Sequence, residues 1–361
     1  MMLTQVQVGR KDFTQAQIVQ LPMPVLADGD VLVAIDKFAL TANNVSYALS
    51  GETIGYWTFF PCAEPWGLVP VWGFADIIES RHPDLKVGER VWGFLPMASH
   101  LVLTPGSVGA RSFVDAAAHR AGLPGVYNAY QRTQSDSPDL TRLEDARCLL
   151  FPLFSTSYVI YDYLIDNAFF GAEQVVIGSV SSKTGLGLAN LLAAHNGGPK
   201  VVGLTSPGNI GFVQQLGTCD EIQTYAHLDR LDASVPTAFI DMAGNGDVVS
   251  AIHTHFGANL KLSCAVGATH WGAGRFQASG DGPGHSFFFA PAQFAKRDLE
   301  WGPGEIMRRA QAASARIALE MQAHLSIQHE TGPEAVVAAF QGLVAGTTRP
   351  EVGIMASVTR P

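Results

Sequence analysis

The residue types and spacing that could do chemistry in this chain concentrate in the run Gln174-Val175-Val176-Ile177-Gly178-Ser179-Val180-Ser181-Ser182-Lys183-Thr184-Gly185-Leu186-Gly187-Leu188-Ala189. A short apolar β-type run enters a loop of Gly and Ser, and an Ala/Leu-rich helix follows. That arrangement brings bare backbone N–H groups to a helix N-terminus, where the dipole and the unpaired donors favour phosphate. Gly178, Ser181, Ser182, Lys183, Thr184, Gly185 and Gly187 are therefore expected to hold a pyrophosphate. A second apolar run at 200–204 arrives one helix later, as a βαβ unit requires. The spacing is not G-x-G-x-x-G, because the glycines are spread through a longer loop carrying serines and a lysine. The competing reading is that the loop only turns strand into helix, which Gly and Ser also do well. A phosphate loop of the NTPase type is rejected, since the residue before Lys183 is Ser182 rather than glycine and no acidic strand end follows.

The end of the second strand decides which dinucleotide is accepted. An acidic residue there would bind the adenosine ribose hydroxyls and mark NAD. Here the segment 203–209 has no carboxylate and offers Thr205, Ser206 and Asn209, with Tyr225 further on, so NADPH is the expected cofactor. The usual positive partner of a 2′-phosphate is missing, because Lys200 sits at the wrong end of the strand. The ends of later strands should face the same crevice, which adds Gly267, Ala268 and Thr269 as nicotinamide-lining candidates, with His270 just beyond. Asp241 ends the preceding strand and is read as a cap for the turn after it. His253 and His255 stand two apart on a helix and point to different faces, so they make no metal pair. A lone histidine such as His100 is more often structural than chemical, and is read so.

A second concentration of chemistry-bearing side chains is aromatic: Tyr47, Tyr56, Trp57, Phe59, Phe60 and Trp66. Such rings line an apolar cleft or simply pack. Both readings stay open at this stage.

The elements that must position these residues fall into two styles. Candidate strands at 31–35, 72–79, 89–94 and 100–104 make the first part β-rich, and 111–143 turns polar and irregular. From residue 149 helix and strand alternate, with strands at 174–178, 200–204, 221–224, 238–241 and 261–266, which implies a parallel, doubly wound sheet. A glycine-rich loop at 272–284 and a long helix at 304–324 follow, then strand, helix and strand at 325–328, 333–343 and 352–357. At 361 residues and 47% hydrophobic content the chain can build two cores. Its net charge of −9 argues against nucleic acid as a partner. The 4 cysteines show no short spacing, so neither a zinc cluster nor a disulfide framework is expected, and a reducing cytoplasm is the expected home. No secretory signal or membrane span is read from the sequence.

Together these features resemble the medium-chain dehydrogenase/reductase superfamily. Lys86-Val87-Gly88-Glu89-Arg90-Val91-Trp92-Gly93 looks like its Val-Gly-Asp-Arg-Val turn, and 31–40 followed by Asn43 and Asn44 resembles its first core strand and active-site loop. Phe154-Ser155-Thr156-Ser157-Tyr158 resembles the start of the helix leading into its cofactor fold, which makes Thr156 a cofactor-binding candidate. The resemblance implies an α/β protein with a GroES-like β-rich catalytic domain at 1–143 and 321–361, and a Rossmann-type doubly wound domain at 144–320. The segment matching the superfamily's zinc-binding Gly-His-Glu reads Trp72-Gly73-Phe74-Ala75, with no ligand atom, so the resemblance leans to the zinc-independent quinone oxidoreductase and enoyl reductase branch. It implies NADPH-dependent reduction of an activated C=C or a quinone, with Tyr56 or Tyr47 as proton donor and Asn43 near the nicotinamide. A small apolar or aromatic substrate is expected. Phe287-Phe288-Phe289 would be an edge strand pairing in a homodimer, unless the helix at 304–324 covers it. The altered phosphate loop motivates a second reading: a family member that binds nucleotide as sensor or scaffold, with catalysis lost.

Overall fold

The computed structural model describes residues 2–266 and 283–360. The chain divides into two compact units, Met1–Leu149 with Leu325–Pro361, and Leu150–His324.

The first unit is organised around the strand Val31–Leu40, an apolar β-branched run. Its antiparallel partners are Pro70–Ser80, His100–Leu103 and Val352–Ser357. Register shifts after Leu32 and after Ile35 accompany its pairing with so many neighbours. Beyond Pro70–Ser80 the sheet continues through Arg90–Pro96, Ala129–Arg132, Ser112–Asp115 and Pro105–Gly106. At the other edge Ser326–Thr331 runs parallel to Val352–Ser357. Val31, Val33, Ile35, Phe38 and Leu40 bury their side chains with Val336 and Phe340 of the helix Pro333–Val344. A smaller sheet joins Ala16–Pro22, Met2–Gly9 and Trp66–Gly67.

The polar stretch at 111–143 is not the irregular connection its composition suggests. Ser112–Asp115 and Ala129–Arg132 are paired strands, and Phe113 stacks on Tyr130 with ring centroids 5.5 Å apart. Its charged residues are partly internal: Arg120 and Asp115 form a buried ion pair at 2.9 Å. Four-residue strands with one apolar face residue each carry too little alternation to be read.

The second unit holds a parallel six-stranded sheet in the order Glu221–Thr224, Lys200–Thr205, Gln174–Gly178, Thr237–Asp241, Leu260–Ala265, His285–Phe287. Numbered along the unit this is 3-2-1-4-5-6, the Rossmann order, whose direction of winding reverses between the first and fourth strands. The first strand is fully buried, as a central parallel strand should be. Gly267, Ala268, Thr269, His270 and the loop at 272–282 lie outside the described residues.

Two expectations need correction. The helix expected at 304–324 is Glu305–Met321, ending in a short 3-10 turn, and a separate helix, Ala290–Trp301, precedes it. No apolar periodicity marks that earlier helix, because its inward face is polar. Gln293 and Arg297 are buried and converge on Asp162 of the helix Phe151–Asp166, at 2.6 Å and 2.7 Å. The run 287–289 splits its side chains: Phe288 packs on Tyr163 with centroids 5.3 Å apart, whereas Phe287 is 59% exposed at the sheet edge.

Removing one partner of a buried ion pair leaves the other charge unsatisfied, at a cost of about 3–5 kcal/mol. Arg297→Met should therefore lower the urea unfolding free energy by about that amount, and a change below ~1 kcal/mol would show that Asp162 holds the helix without its arginine.

Candidate functional site

In the second unit, the C-terminal ends of the first, second and fourth strands lie side by side. Gly178 is in register with Leu204 on one side and Asp241 on the other. The chain leaves Gly178 through Ser179, a non-glycine residue held in the left-handed region at φ +53°. Its N–H donates to the Tyr225 hydroxyl at 2.8 Å, which pins the strained turn. Ser181 is buried, and its hydroxyl accepts from Thr205 Oγ1 at 3.1 Å and from Asn209 Nδ2 at 3.2 Å. The loop is thus tied to the end of the second strand. Ser182 caps the helix Lys183–Ala193, accepting from the Gly185 N–H at 3.2 Å. Lys183 and Thr184 form the first turn of that helix, half-buried.

Gly185 and Gly187 have packing roles. A Cβ on Gly185 would sit 2.8 Å from the Ser179 and Val180 backbone, and one on Gly187 would sit 2.6 Å from the Phe154 ring and the Ser157 hydroxyl. Ser157 Oγ also lies 2.7 Å from the Thr184 carbonyl, so it is Ser157 that anchors the loop-bearing helix. Thr156, one residue earlier, donates to the Pro152 carbonyl of its own helix at 3.0 Å. Ser206 is exposed beyond the second strand. The structure therefore brings Gly178, Ser181, Ser182, Thr205, Asn209 and Tyr225 to one end of the sheet. Asp241 does cap the following turn, accepting from the Ala243 N–H at 2.9 Å and the Gly244 N–H at 3.1 Å.

In the first unit the aromatic run condenses into one cluster. Tyr47 and Tyr56 have ring centroids 4.5 Å apart, and both contact Phe94 and Tyr127. The Tyr56 hydroxyl is 2.8 Å from that of Tyr127. Tyr47 accepts from the Trp72 indole N–H at 3.1 Å. Asn44, the neighbour that the spacing left equivalent to Asn43, is committed elsewhere. Its amide oxygen accepts from the Thr41 N–H at 2.7 Å and its amide N–H donates to the Pro70 carbonyl at 2.8 Å. Tyr127 and Phe94 had no signature in the sequence, since Tyr127 lies on a 3-10 turn, Gly125–Tyr127, inside the polar stretch.

His100 Nδ1 lies 2.8 Å from the Ser99 hydroxyl in a strand of the first unit. In the second unit His253 Nε2 and His285 Nδ1 each lie 2.8 Å from the buried Ser263 hydroxyl. His255 Nε2 is 2.8 Å from the Leu231 carbonyl. Among the described residues no helix is long and apolar enough to cross a membrane.

Residues 38–349 match the family described as a protein of unknown function, DUF2855. The chain belongs to this family. No curated protein sequence matches the DUF2855 chain. Among solved structures, CurA from Vibrio vulnificus in complex with NADPH superimposes with a TM-score of 0.64 at 14% identity, covering 99% of this chain and 100% of that one. The yhdH oxidoreductase from Salmonella enterica in complex with NADP gives 0.51 at 14% identity, with 99% and 100% coverage. The CurK enoyl reductase gives 0.52 at 14% identity, with 98% and 99% coverage. At this identity the likeness shows the fold. The DUF2855 chain has the medium-chain dehydrogenase/reductase fold, a GroES-like β-rich unit and a Rossmann-type parallel unit.

Burial holds the Tyr47, Tyr56 and Tyr127 hydroxyls well above the ordinary phenol range. The native protein therefore keeps protons that the unfolded chain releases above pH ~10, and stability is complete below that value and falls above it. The contribution of each such phenol to the unfolding free energy should be flat to about pH 9 and then drop by about 1.4 kcal/mol per pH unit. Tyr127→Phe should make the drop shallower; an identical slope would show that this phenol ionises as freely in the fold as in the chain.

Proposed function

We propose that this chain is a zinc-independent, NADPH-dependent oxidoreductase that reduces an activated C=C bond, as in an enone or enoyl thioester, or a quinone. The observation that carries the reading is the Gly/Ser loop at the reversal point of the 3-2-1-4-5-6 sheet, tied to the second strand by Ser181, Thr205 and Asn209. A crevice at that point is where such sheets take dinucleotides. Gly178, Ser181, Ser182, Lys183, Thr184, Gly185 and Gly187 are proposed to form the pyrophosphate cradle, with Thr156 on the preceding helix and Gly267, Ala268 and Thr269 toward the nicotinamide. Around the end of the second strand Ser206, Asn209 and Tyr225 offer neutral hydrogen bonds. No residue of 203–209 carries a carboxylate that would repel a 2′-phosphate. The bound cofactor supplies hydride.

The remaining chemistry falls to the chain's own side chains. Segment 72–75, which resembles the superfamily's zinc-binding position, offers Trp, Gly, Phe and Ala within the strand Pro70–Ser80 and has no ligating atom. Without a Lewis acid from those positions, the substrate must already be electron-poor, and the developing oxyanion needs a hydrogen-bond donor. Tyr56, with Tyr47 beside it, is the proposed donor of that hydrogen bond and of the proton, and Asn43 is proposed to contact the nicotinamide. The surrounding rings favour a small apolar or aromatic substrate. A cytoplasmic homodimer formed through the exposed edge strand His285–Phe287 completes the reading. One observation favours the sensor or scaffold alternative: Tyr56 is 6% exposed and its hydroxyl is already engaged by Tyr127.

Titration of the protein with NADPH and with NADH, followed by nicotinamide fluorescence and thermal stability, tests the first half of the proposal. NADPH is expected to bind at least about tenfold more tightly, a difference of ~1.4 kcal/mol; binding of neither overturns it. Tyr56→Phe should lower turnover on enones or quinones by about 100-fold, the scale of a lost general acid, without weakening NADPH binding. Unchanged turnover removes Tyr56 from the mechanism. NADPH binding with no reduction of enone, enoyl thioester or quinone would select the sensor or scaffold reading.

A further inference from the structure

A second cluster of titratable side chains lies in the parallel unit and has no part in the chemistry proposed above. Asp241 ends the strand Thr237–Asp241, is 2% exposed and stands beside the phosphate loop: a Cβ on Gly178 would lie 3.4 Å from its Oδ1. Its Oδ2 is 3.7 Å from His285 Nε2 on the edge strand His285–Phe287. The other nitrogen of that ring, Nδ1, is 2.8 Å from the Ser263 hydroxyl, and His253 Nε2 of the helix Gly246–Phe256 meets the same hydroxyl at 2.8 Å. Ser263 is fully buried, whereas both imidazoles are partly exposed and exchange protons with water. A hydroxyl has one proton to give, so at least one of the two rings presents an N–H to it. The ring centroids are 6.3 Å apart, so a charge on one ring disfavours a charge on the other. Among the described residues the other titratable groups around the cluster stay neutral. Burial and Asp241 push the Cys264 thiol up to about 12, and burial raises the Tyr163 and Tyr225 phenols.

We infer that this unit takes up a proton when it binds its dinucleotide, and that His285 holds that proton between Asp241 and Ser263. The inference rests on the proposed pyrophosphate cradle. Asp241 sets a carboxylate beside the loop that must receive an anion, and a positive charge on His285 offsets it. The proton comes from solvent and forms one new N–H bond. With both nitrogens protonated, His285 faces Asp241 with Nε2–H and donates Nδ1–H to Ser263. Ser263 then gives its own proton to the lone pair of His253 Nε2, and neutral His253 keeps its proton on Nδ1. In the free protein burial holds His285 below the ordinary imidazole range, so it is neutral at physiological pH until the anion arrives. The sign follows from linkage. Affinity is greatest where His285 is already charged, falls as pH rises through its value in the complex, and is flat above that.

Calorimetric titration of the full chain with NADPH, in two buffers of different ionisation enthalpy, counts the protons taken up on binding. NADPH should bind about threefold more tightly at pH ~6 than at pH ~8, with net proton uptake at neutral pH. The 2′-phosphate itself titrates near pH ~6, so the quantity read is the difference between wild type and His285→Gln, in which the uptake should vanish. With histidine labelled with 15N, saturating the wild type with NADPH should move the His285 ring nitrogens toward the imidazolium shifts and place the His253 proton on Nδ1. This second readout stands whether or not the variant folds. Binding of NADPH without proton uptake, or with equal uptake in His285→Gln, overturns the inference and leaves the cofactor reading in place. So do His285 nitrogens that keep their neutral shifts in the saturated protein. Absence of NADPH binding over the whole pH range overturns the cofactor reading, and this inference with it.

Discussion

The geometry of the second unit depends on how closely the helix Lys183–Ala193 approaches what lies behind it. Its first turn presses on the Ser179–Val180 backbone, and its second on Phe154 and Ser157 of the helix Phe151–Asp166, at distances that leave no room for a Cβ. Only glycine fits at 185 and 187. That constraint aims the helix N-terminus at the strand ends and explains the spacing of the loop. Two of its three glycines answer to helix packing, so the residues between Gly178 and Gly185 are free to be serine, lysine and threonine. What distinguishes this loop is therefore its side chains, and Ser181 uses its hydroxyl to bind the loop to its neighbouring strand.

The first unit meets a different constraint. Phenol and indole groups enclosed by phenyl rings cost free energy unless they satisfy one another. They do so in two pairs, Trp72 donating to Tyr47 and Tyr56 sharing a hydrogen bond with Tyr127, while their rings fill the same apolar volume. The packing reading and the chemical reading of these aromatics are thus not alternatives. A rigid aromatic wall is what holds a hydroxyl in one direction, and the same burial keeps the phenols protonated.

Much of the second unit was legible because its signals are long and periodic. A buried strand, a Gly/Ser loop, a helix and another strand specify a βαβ unit by themselves, and the absence of an acid after Leu204 is read directly. The helix Ala290–Trp301 was not legible, because its buried face is Gln293 and Arg297, and polar residues turn inward only where a partner such as Asp162 waits. Tyr127 was hidden for a related reason. Its place is fixed by two four-residue strands and an internal Arg120–Asp115 pair that composition reports as surface. The choice between Asn43 and Asn44 needed coordinates, since they show only that Asn44 is committed to the capping box of its helix and to the Pro70 carbonyl.

The central strand Val31–Leu40 takes Val352–Ser357 as one of its neighbours. During synthesis the strand leaves the ribosome early, and this partner follows only after the whole of Leu150–His324 has been made. The parallel unit is continuous and closes its own sheet, so it can complete folding while the first unit still shows an open, apolar strand edge. Such an edge is what templates pairing with other chains. The residues at 352–357 thus serve the nascent protein as a late seal, and any event that delays their arrival lengthens the time during which the half-made sheet is sticky.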